Sequence, residues 1–248
     1  MGEKMKTLIK LFKNYNQTCS IINIKGKSVT FIRNEKFLQY LDDVAEDIWV
    51  IVPDDCIYHS PRKNIKVYYS KHPEYDFVRF HNYIYKNKNT YKLITGDNCN
   101  IHPSAIIGPE GIKLVFSPEG NKIQFLHTGG VVIGNNVSIG PQSVIHRGSM
   151  DDTIIGNDCV IGTLSNIGHN CVIGDDNIII STVNLNGGVK TGKNCWFASG
   201  SLVQTHLTIC DNVVVGMGAV VTKDITKEGV YVGNPAKYLK SMKKGWNF

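Results

Sequence analysis

The chain has 248 residues, which is enough for one large repetitive domain and one smaller domain. Its formal net charge is +6, but no basic stripe interleaved with aromatic residues runs along it, so we expect no nucleic-acid partner. No apolar run approaches the length that crosses a bilayer, and the first residues, MGEKMKTLIK, lack the long apolar region of a signal peptide. We therefore expect a cytoplasmic protein without membrane insertion.

Residues 1–97 have no six-residue period, and we predict a small α/β domain there. The apolar residues of EKFLQYLDDVAE (35–46) have helical spacing, whereas IWVIV (48–52) and IKVYYS (65–70) have the composition of buried strands. Pro73–Tyr85 is a predicted helix, because proline is favoured at the first helical position.

A six-residue period dominates the second half of the chain. An α-helix cannot use this spacing, because six is not a multiple of 3.6 and the apolar residues would drift around the helix. The period is a signature of a β-helix, in which three short strands and three corners form one 18-residue coil. Ile-Gly recurs in this region, and we expect its glycine at the corners, where a residue without a Cβ is needed. Thr191 alone interrupts the repeating core positions, which are Ile155, Ile161, Ile167, Ile173, Ile179, Leu185, Phe197, Val203, Ile209, Val215 and Val221.

The solenoid is predicted to cover residues 98–227, with two interruptions. The segment PEGIKLVFSPEGNKIQFLHTGG (109–130) is too long for a corner and has hairpin-like alternation around SPEG (117–120), so we expect it to project as a loop. The spacing of ten from Ile145 to Ile155 indicates four extra residues within 147–152. Residues 228–248 are predicted to cap the open core and to end in a short helix.

The seven cysteines are predicted to be small core residues in a reducing compartment. Cys159 and Cys195 are separated by two whole coils, and Cys171 occupies the same hexapeptide slot. The sequence has no C-x-x-C pair, so we expect no metal site.

Positive charge is concentrated near the end of the chain, at Lys237, Lys240, Lys243 and Lys244. The cluster has two interpretations, which the residues alone leave open. It is either a solvated tail or part of a site that holds an anionic ligand near the end of the solenoid.

Two histidines stand against the repeating pattern. His169 in NIGHNCVIG and His206 in QTHLTICDN follow turn positions and are separated by two coils plus one residue. We therefore expect both at one edge of the solenoid, about 10 Å apart by the stacking distance. A lone surface histidine is usually only solvated, whereas two aligned on one edge indicate a functional site.

The segment GGVVIGNNVSIGPQSVIHRGSMDDTIIGNDCVIG, followed by NIGHNCVIGD and THLTICDNV, resembles the UDP-3-O-(3-hydroxyacyl)glucosamine N-acyltransferases of lipid A biosynthesis. These belong to the hexapeptide acyltransferases, whose solenoid is a left-handed parallel β-helix, and this is the fold class that we predict. The resemblance runs from about residue 129 to 217 and reaches VTFIRNEKF in the first domain. It also implies a homotrimer, with each active site between neighbouring solenoids.

The resemblance assigns roles to individual residues. It makes His169 the general base that takes a proton from the substrate amine, and it places His206 near the diphosphate and the reacting carbonyl. The backbone amide of Gly187, one coil after His169, is the expected oxyanion donor. Asp151, one coil before His169, is the expected carboxylate that orients the imidazole, although it and the adjacent Asp152 are equally well explained as solvated turn residues.

In the first domain, the resemblance places a nucleobase pocket at Phe31, Asn34 and Phe37. Periodicity alone favours core positions for both phenylalanines. Asparagine offers a donor and an acceptor, which is what the edge of uracil or thymine requires.

The acyl donor is expected to bind at the end of the solenoid. VGMGAVVTKD (215–224) resembles the segment that runs beside pantetheine in related enzymes, which places Gly216 and Gly218 there, and Lys237 or Lys240 would meet the phosphates of coenzyme A. The closing GVYVGNPAKYLK is similar to that of CoA-dependent sugar acetyltransferases. His146 in IHRG stands where the family usually has aspartate, so we expect a different sugar or acyl group.

We therefore predict an N-acyltransferase that moves an acyl group from acyl-CoA to the amine of a UDP- or dTDP-linked amino sugar, for surface polysaccharide biosynthesis. The alternative is the lipid A enzyme, which uses acyl carrier protein. A γ-type carbonic anhydrase shares the solenoid, but its H-x4-H pair is absent from this sequence. A non-catalytic scaffold would explain the core and leave the paired histidines unexplained.

Overall fold

The computed structural model describes residues 2–15, 17–58, 63–88 and 90–242. The chain divides into two compact units. The first unit comprises Met1–Thr90 and Ile112–Leu126, and the second comprises Tyr91–Gly111 and His127–Phe248. None of the helices in the described ranges is long and apolar enough to cross a membrane.

The first unit is built on a three-stranded parallel sheet with strand order β1-β2-β3. The two predicted strands and the predicted helix at 73–85 are confirmed, whereas the first helix was not predicted. The predicted helix at 35–46 is shorter than expected, because only its first part turns, as a 3-10 helix. The elements are α1 (Glu3–Leu11), β1 (Ser28–Phe31), the 3-10 helix (Glu35–Leu41), β2 (Ile48–Pro53), β3 (Ile65–Ser70) and α2 (Pro73–Tyr85).

The second unit is a parallel β-solenoid, as predicted. Its strands pair in three sheets, and apart from the closing strand all pairs are parallel. The remaining strands of the chain, of which β7 and β8 belong to the first unit, are β4 (Leu93–Thr95), β5 (Asn100–Ile101), β6 (Ile106–Ile107), β7 (Leu114–Phe116), β8 (Lys122–Gln124), β9 (Val131–Ile133), β10 (Ser138–Ile139), β11 (Val144–Ile145), β12 (Thr153–Ile155), β13 (Val160–Ile161), β14 (Asn166–Ile167), β15 (Val172–Ile173), β16 (Ile178–Ile179), β17 (Asn184–Leu185), β18 (Lys190–Thr191), β19 (Trp196–Phe197), β20 (Leu202–Val203), β21 (Thr208–Ile209), β22 (Val213–Val215), β23 (Val220–Val221), β24 (Gly229–Val232) and β25 (Lys237–Lys240).

Strand register confirms the coil length and both interruptions. Ile154 pairs with Val172, which follows it by one regular coil. Val131 pairs with Thr153, and this longer separation accounts for the extra residues predicted within 147–152. Leu93 pairs with Val131, which lies more than two regular coil lengths later in the chain. The coil between them therefore carries the long insertion. The first solenoid strand, β4, lies before residue 98, the predicted start of the solenoid.

The insertion forms a hairpin, as the alternation around SPEG (117–120) indicated. Strands β7 and β8 pair antiparallel, with Val115 opposite Ile123. Within the first unit, the Asn82 side chain of α2 donates to the Gln124 carbonyl at 2.7 Å and accepts from the Leu126 N–H at 3.1 Å. The hairpin is therefore held by α2, because a helix side chain satisfies the backbone groups that follow its second strand.

The corners of the solenoid differ from the sequence prediction. Between residues 133 and 174, the glycines of the Ile-Gly pairs do not hold the left-handed conformation, which falls two residues later on residues such as Asp158 (φ 57°) and Asn170 (φ 60°). Asn and Asp tolerate this conformation better than other residues with a Cβ. The glycines are needed for a different reason: a Cβ on Gly156 would lie 2.7 Å from the Gly174 backbone of the next coil. They therefore allow the coils to stack closely.

Thr191, the one interruption of the core pattern, pairs with a second buried polar residue. Asn177 is fully buried, and its Nδ2 donates to Thr191 Oγ1 at 3.1 Å and to the Gly174 and Gly192 carbonyls at 2.8 Å. Its Oδ1 accepts from the Cys195 N–H at 2.9 Å. The polar pair is thus satisfied inside the core.

The cysteines of the core agree with the sequence analysis. Cys159, Cys171 and Cys195 are buried, and burial raises their pKa values to about 11, 12 and 12, so these thiols stay protonated at neutral pH. The short helix was expected at the end of the closing segment. Before that end, strand β25 pairs antiparallel with β24 and covers its edge. Residues 243–248 lie outside the described residues.

We expect Asn177→Val to lower the free energy of unfolding by roughly 2–4 kcal/mol. Each buried polar group that is left without its hydrogen-bond partner costs about 1–3 kcal/mol. Thr191→Val should cost less, since the Gly174 N–H keeps the Thr191 carbonyl at 3.1 Å. Urea unfolding of both single variants and the double variant measures the coupling. Additive effects of the two changes would contradict the buried pair.

His81 on α2 should make the protein sensitive to acid. It is fully buried, its Nε2–H donates to the Leu126 carbonyl at 2.8 Å, and its Nδ1 accepts from the Thr18 hydroxyl at 2.6 Å. Burial lowers its pKa from 6.5 to about 4. Because the folded pKa lies below the unfolded value, this stabilisation of roughly 3 kcal/mol is present above pH 6.5 and is lost as the pH falls to 4.

The measurement is urea unfolding of the whole chain between pH 7.5 and 4.5, with hydrogen exchange at α2 as the local probe. His81→Gln should be less stable at pH 7.5 and should lose less stability on acidification. The same loss in His81→Gln as in the natural sequence would show that another group is responsible.

Candidate active site

The structure brings His169, Gly187 and His206 together at one edge of the solenoid, as the predicted coil length requires. The His169 carbonyl accepts from the Gly188 N–H at 2.8 Å, and the Gly187 carbonyl accepts from the His206 N–H at 3.0 Å. His169 is half-buried and His206 is exposed. Three successive coils therefore present two imidazoles and a pair of glycines on one edge.

The His169 ring is held by its neighbour Asn170. Nδ1 of His169 lies 3.0 Å from Asn170 Oδ1. Two backbone groups fix the orientation of this amide: its Oδ1 accepts from the Ser149 N–H at 2.9 Å, and its Nδ2 donates to the Asp151 carbonyl at 2.8 Å. Since Asn170 Oδ1 can only accept, His169 must carry its proton on Nδ1. The neutral imidazole then has its lone pair on Nε2.

The two aspartates expected beside His169 contribute differently from the prediction. Asp151 supplies its main-chain carbonyl to Asn170. The carboxylate of Asp152 accepts from the Gly130 N–H at 2.7 Å and lies 3.5 Å from Lys92 Nζ. The group that sets the His169 tautomer is therefore the carboxamide of Asn170. In the sequence, its only signal is its position next to the histidine.

The lone pair of His169 lies next to Gly187. A Cβ on Gly187 would lie 2.7 Å from His169 Nε2, so a side chain at this position would collide with the imidazole. Within the described residues, the Gly187 N–H donates to no backbone or side-chain acceptor. A Cβ on the next residue, Gly188, would likewise collide with the His206 ring, and the φ of Gly188 is +75°. The His169 and His206 rings therefore pack directly against the backbone of this glycine pair.

Two further residues of the site were missed by the sequence analysis. His127 is 2% exposed, and its ring packs edge-on against His169 with 5.3 Å between centroids. The Gly111 N–H donates to His127 Nδ1 at 3.0 Å. Both residues lie at the ends of the insertion, outside the six-residue period, so periodicity could not identify them.

His146, the departure from the family pattern, lies in a chain of amides. Its Nε2 is 3.0 Å from Asn166 Oδ1, and Asn166 Nδ2 donates to Asn184 Oδ1 at 3.0 Å. Since Asn166 Oδ1 can only accept, His146 donates from Nε2. Among the described residues, no group of three or more His, Cys, Asp or Glu side chains is arranged to hold a metal ion.

The predicted nucleobase residues lie in the first unit in separate surroundings. The Phe31 ring packs on Phe77 with 4.7 Å between centroids, and Phe37 packs against the core cluster beneath the 3-10 helix. Asn34 caps that helix, because its Oδ1 accepts from the Lys36 N–H at 3.1 Å. These contacts are the ones expected of core and capping residues.

A cavity of about 340 Å³ lies elsewhere in the first unit, between the start of α2 and the inserted hairpin. Arg33 and Glu74 form an ion pair at 2.6 Å in its wall. Its other principal lining residues are His72, Tyr75, Leu114 and Phe116.

The predicted donor residues lie at the end of the solenoid. The last coil is joined to the closing segment by the Ala236 N–H, which donates to the Val220 carbonyl at 2.7 Å. A cavity of about 190 Å³ in this region is lined by Lys223, Tyr231 and Lys237, among others. Gly218 is at an open corner, with φ +65° and no atom within 4 Å of a Cβ, whereas a Cβ on Gly216 would meet Val232 at 2.7 Å.

Of the other three lysines in the cluster, one lies within the described residues. Lys240 is exposed in β25, where it pairs with Val230. Lys243 and Lys244 lie outside the described residues.

Comparison with known proteins gives relatives by sequence and by fold, although no protein-family model matches the chain. It is 39% identical over 137 residues to the UDP-3-O-acylglucosamine N-acyltransferase of Coxiella burnetii (strain Dugway 5J108-111), a match that covers 55% of this chain and 40% of the relative. The match thus spans about two fifths of the length of that relative. Its sequence relatives are named as acyltransferases.

Two crystal structures are similar in fold. A UDP-N-acetylglucosamine acyltransferase matches with a TM-score of 0.52 and 15% identity, over 89% of this chain and 68% of that chain. The Francisella novicida UDP-N-acetylglucosamine acyltransferase matches with a TM-score of 0.50 and 19% identity, over 88% and 63%. The chain therefore has the left-handed β-helix fold of hexapeptide-repeat acyltransferases, as predicted.

Proposed function

We propose that this protein is an N-acyltransferase that acylates the amino group of a nucleotide-linked sugar, with His169 as the general base. The observation that supports the proposal is the fixed tautomer of His169, which leaves Nε2 unprotonated and next to the Gly187 backbone. The sequence relatives act on a UDP-linked amino sugar according to their name, which supports the same substrate class.

The site has the groups that acyl transfer from a thioester needs. The sugar amine attacks the thioester carbonyl, a C–N bond forms, and His169 Nε2 accepts the amine proton. In this proposal the Gly187 N–H stabilises the oxyanion. The C–S bond then breaks, and the thiolate leaves with the proton that the imidazolium returns. Asn170 supports the imidazolium, because its Oδ1 holds the Nδ1 proton in both states.

Two donors remain as candidates within this proposal. The name of the sequence relatives favours a UDP-3-O-acylglucosamine N-acyltransferase. The resemblance to the lipid A enzymes implies acyl carrier protein as the donor of such an enzyme. An acyl-CoA donor is supported by the cavity at the solenoid end, which Lys223 and Lys237 line. We propose that Gly216, Gly218 and Lys240 contact the same donor. An acyl-CoA bound there must reach His169 across about three coils, or about 14 Å.

Further parts of the proposal concern the other substrate and the assembly. We assign the nucleobase to the first unit at Phe31, Asn34 and Phe37, and the diphosphate to His206. Homotrimer formation is supported by aliphatic side chains on the outer faces of the solenoid, such as Ile154 (39% exposed) and Val160 (42% exposed). Surface polysaccharide or lipid A biosynthesis would then be the process served.

The test is a thiol-release assay with UDP- and dTDP-linked amino sugars and with acyl-CoA or acyl carrier protein thioesters of several chain lengths. We expect turnover with one donor class, and a loss of about 10²–10⁴-fold in His169→Ala, because a general base contributes this much. His102→Ala is the control, since His102 is an exposed solenoid histidine that bonds its neighbour Ser104 at 2.9 Å. Near-normal turnover in His169→Ala would remove His169 as the base.

Asn170→Ala should lower kcat by roughly 10- to 100-fold, because the imidazole loses the group that keeps the lone pair on Nε2. Asn212→Ala is the matched control: Asn212 has φ 58° and Asn170 has φ 60° at the same hexapeptide position of two different corners, so both variants carry the same backbone cost. The comparison is steady-state kcat at equal folded fraction. Equal kcat values for the two variants would contradict the orienting role of Asn170.

A further inference from the structure

His127 is fixed in one neutral tautomer. The backbone N–H of Gly111 can only donate, so His127 Nδ1, at 3.0 Å, is an acceptor and the proton of the neutral ring is on Nε2. Protonation of His127 would place a proton on Nδ1 and break this hydrogen bond. The ring is 2% exposed, so water is poorly placed to compensate.

The same glycine brings the two imidazoles together. A Cβ on Gly111 would lie 2.9 Å from His169 Cδ2 and 3.1 Å from His127 Cε1. Only a residue without a side chain fits between the rings, which meet at an interplanar angle of 63°. The edge of one ring therefore limits the rotation of the other.

Hydrogen bonds connect the two histidines through the chain as well. The N–H and hydroxyl of Thr128, next to His127, donate to the Ser149 carbonyl at 2.9 and 3.3 Å. The Ser149 N–H and hydroxyl donate to Asn170 Oδ1, which orients His169. The segment that carries His127 is thus joined to the group that sets the His169 tautomer.

We propose that His127 is a positioning residue for His169: a neutral second imidazole that holds the base in the ring orientation with Nδ1 on Asn170 and Nε2 at Gly187. This rests on the proposed function. A neutral neighbour is also the appropriate one, because His169 becomes a cation during proton transfer and a second cation about 5 Å away would oppose that step. The insertion at residues 109–130 then has a catalytic consequence, since its two ends supply Gly111 and His127.

The test uses the whole chain with ¹⁵N-labelled histidine, whose NMR signals distinguish the two neutral tautomers. At pH 7.5 we expect His127 to carry its proton on Nε2 and His169 to carry its proton on Nδ1. In His127→Ala, the His169 ring is free to turn and its signals should report a mixture of tautomers. A proton on Nδ1 of His127, or a charged His127, would overturn the proposal without reference to any activity.

The kinetic arm separates positioning from a purely structural role. His127→Ala should lower kcat by roughly 10- to 100-fold and change both KM values by less than about twofold. His127→Asn should recover part of kcat, because its amide oxygen takes the place of Nδ1 as acceptor for the Gly111 N–H. His102→Ala, the control, should retain the kcat of the natural sequence and the single His169 tautomer.

Other outcomes overturn the proposal. If kcat falls in His127→Ala while His169 keeps one tautomer, His127 acts by a route other than positioning. An unchanged kcat with an unchanged tautomer removes its role altogether. If the protein transfers no acyl group to any amino sugar, the proposed function fails, and the tautomers of His127 and His169 still decide whether the second imidazole orients the first.

Discussion

The hydrogen bonds between successive coils are the constraint on which the rest of the solenoid depends. Each coil donates to carbonyls of the next, as when the Gly168 N–H meets the Leu185 carbonyl at 2.8 Å. This spacing leaves no room for a Cβ on the inner side of the corners, where a Cβ on Gly168 would lie 2.5 Å from the Gly187 nitrogen. The same close approach places Gly187 against His169. The geometry that stabilises the fold therefore also forms the candidate site.

Much of the solenoid follows from the sequence because its physical determinants repeat. One apolar position in every hexapeptide is buried, so the period identifies the strands, and the departures from the regular coil length give both interruptions. The conformation of the corners did not follow, because two different demands act on nearby residues. Gly156 is needed because there is no space for a Cβ at its position. Asp158, two positions later, is favoured because the backbone there is left-handed, with φ 57°. Composition alone does not separate these causes.

The candidate site was predicted only where it shares the period of the fold. His169, Gly187 and His206 occupy related positions in successive coils, so counting residues was enough to bring them together. Asn170 acts through the orientation of its amide, which depends on the Ser149 N–H and the Asp151 carbonyl. His127 and Gly111 come from the ends of an insertion, whose path no repeat describes. In the first unit, Phe31 and Phe37 have the core contacts that their periodicity indicated.

Two kinds of polar residue interrupt this apolar fold, and their surroundings distinguish them. Asn177 and Thr191 are buried and bond each other and the backbone on all sides, so their polarity is used within the core. His169 is half-buried, Asn170 holds the proton on its Nδ1, and its Nε2 lies next to the Gly187 backbone. A network that satisfies every polar atom stabilises a core, whereas a network that fixes the tautomer of a half-buried imidazole determines which nitrogen can accept a proton. This difference in surroundings is the reason why we place the proposed chemistry at the edge that carries His169.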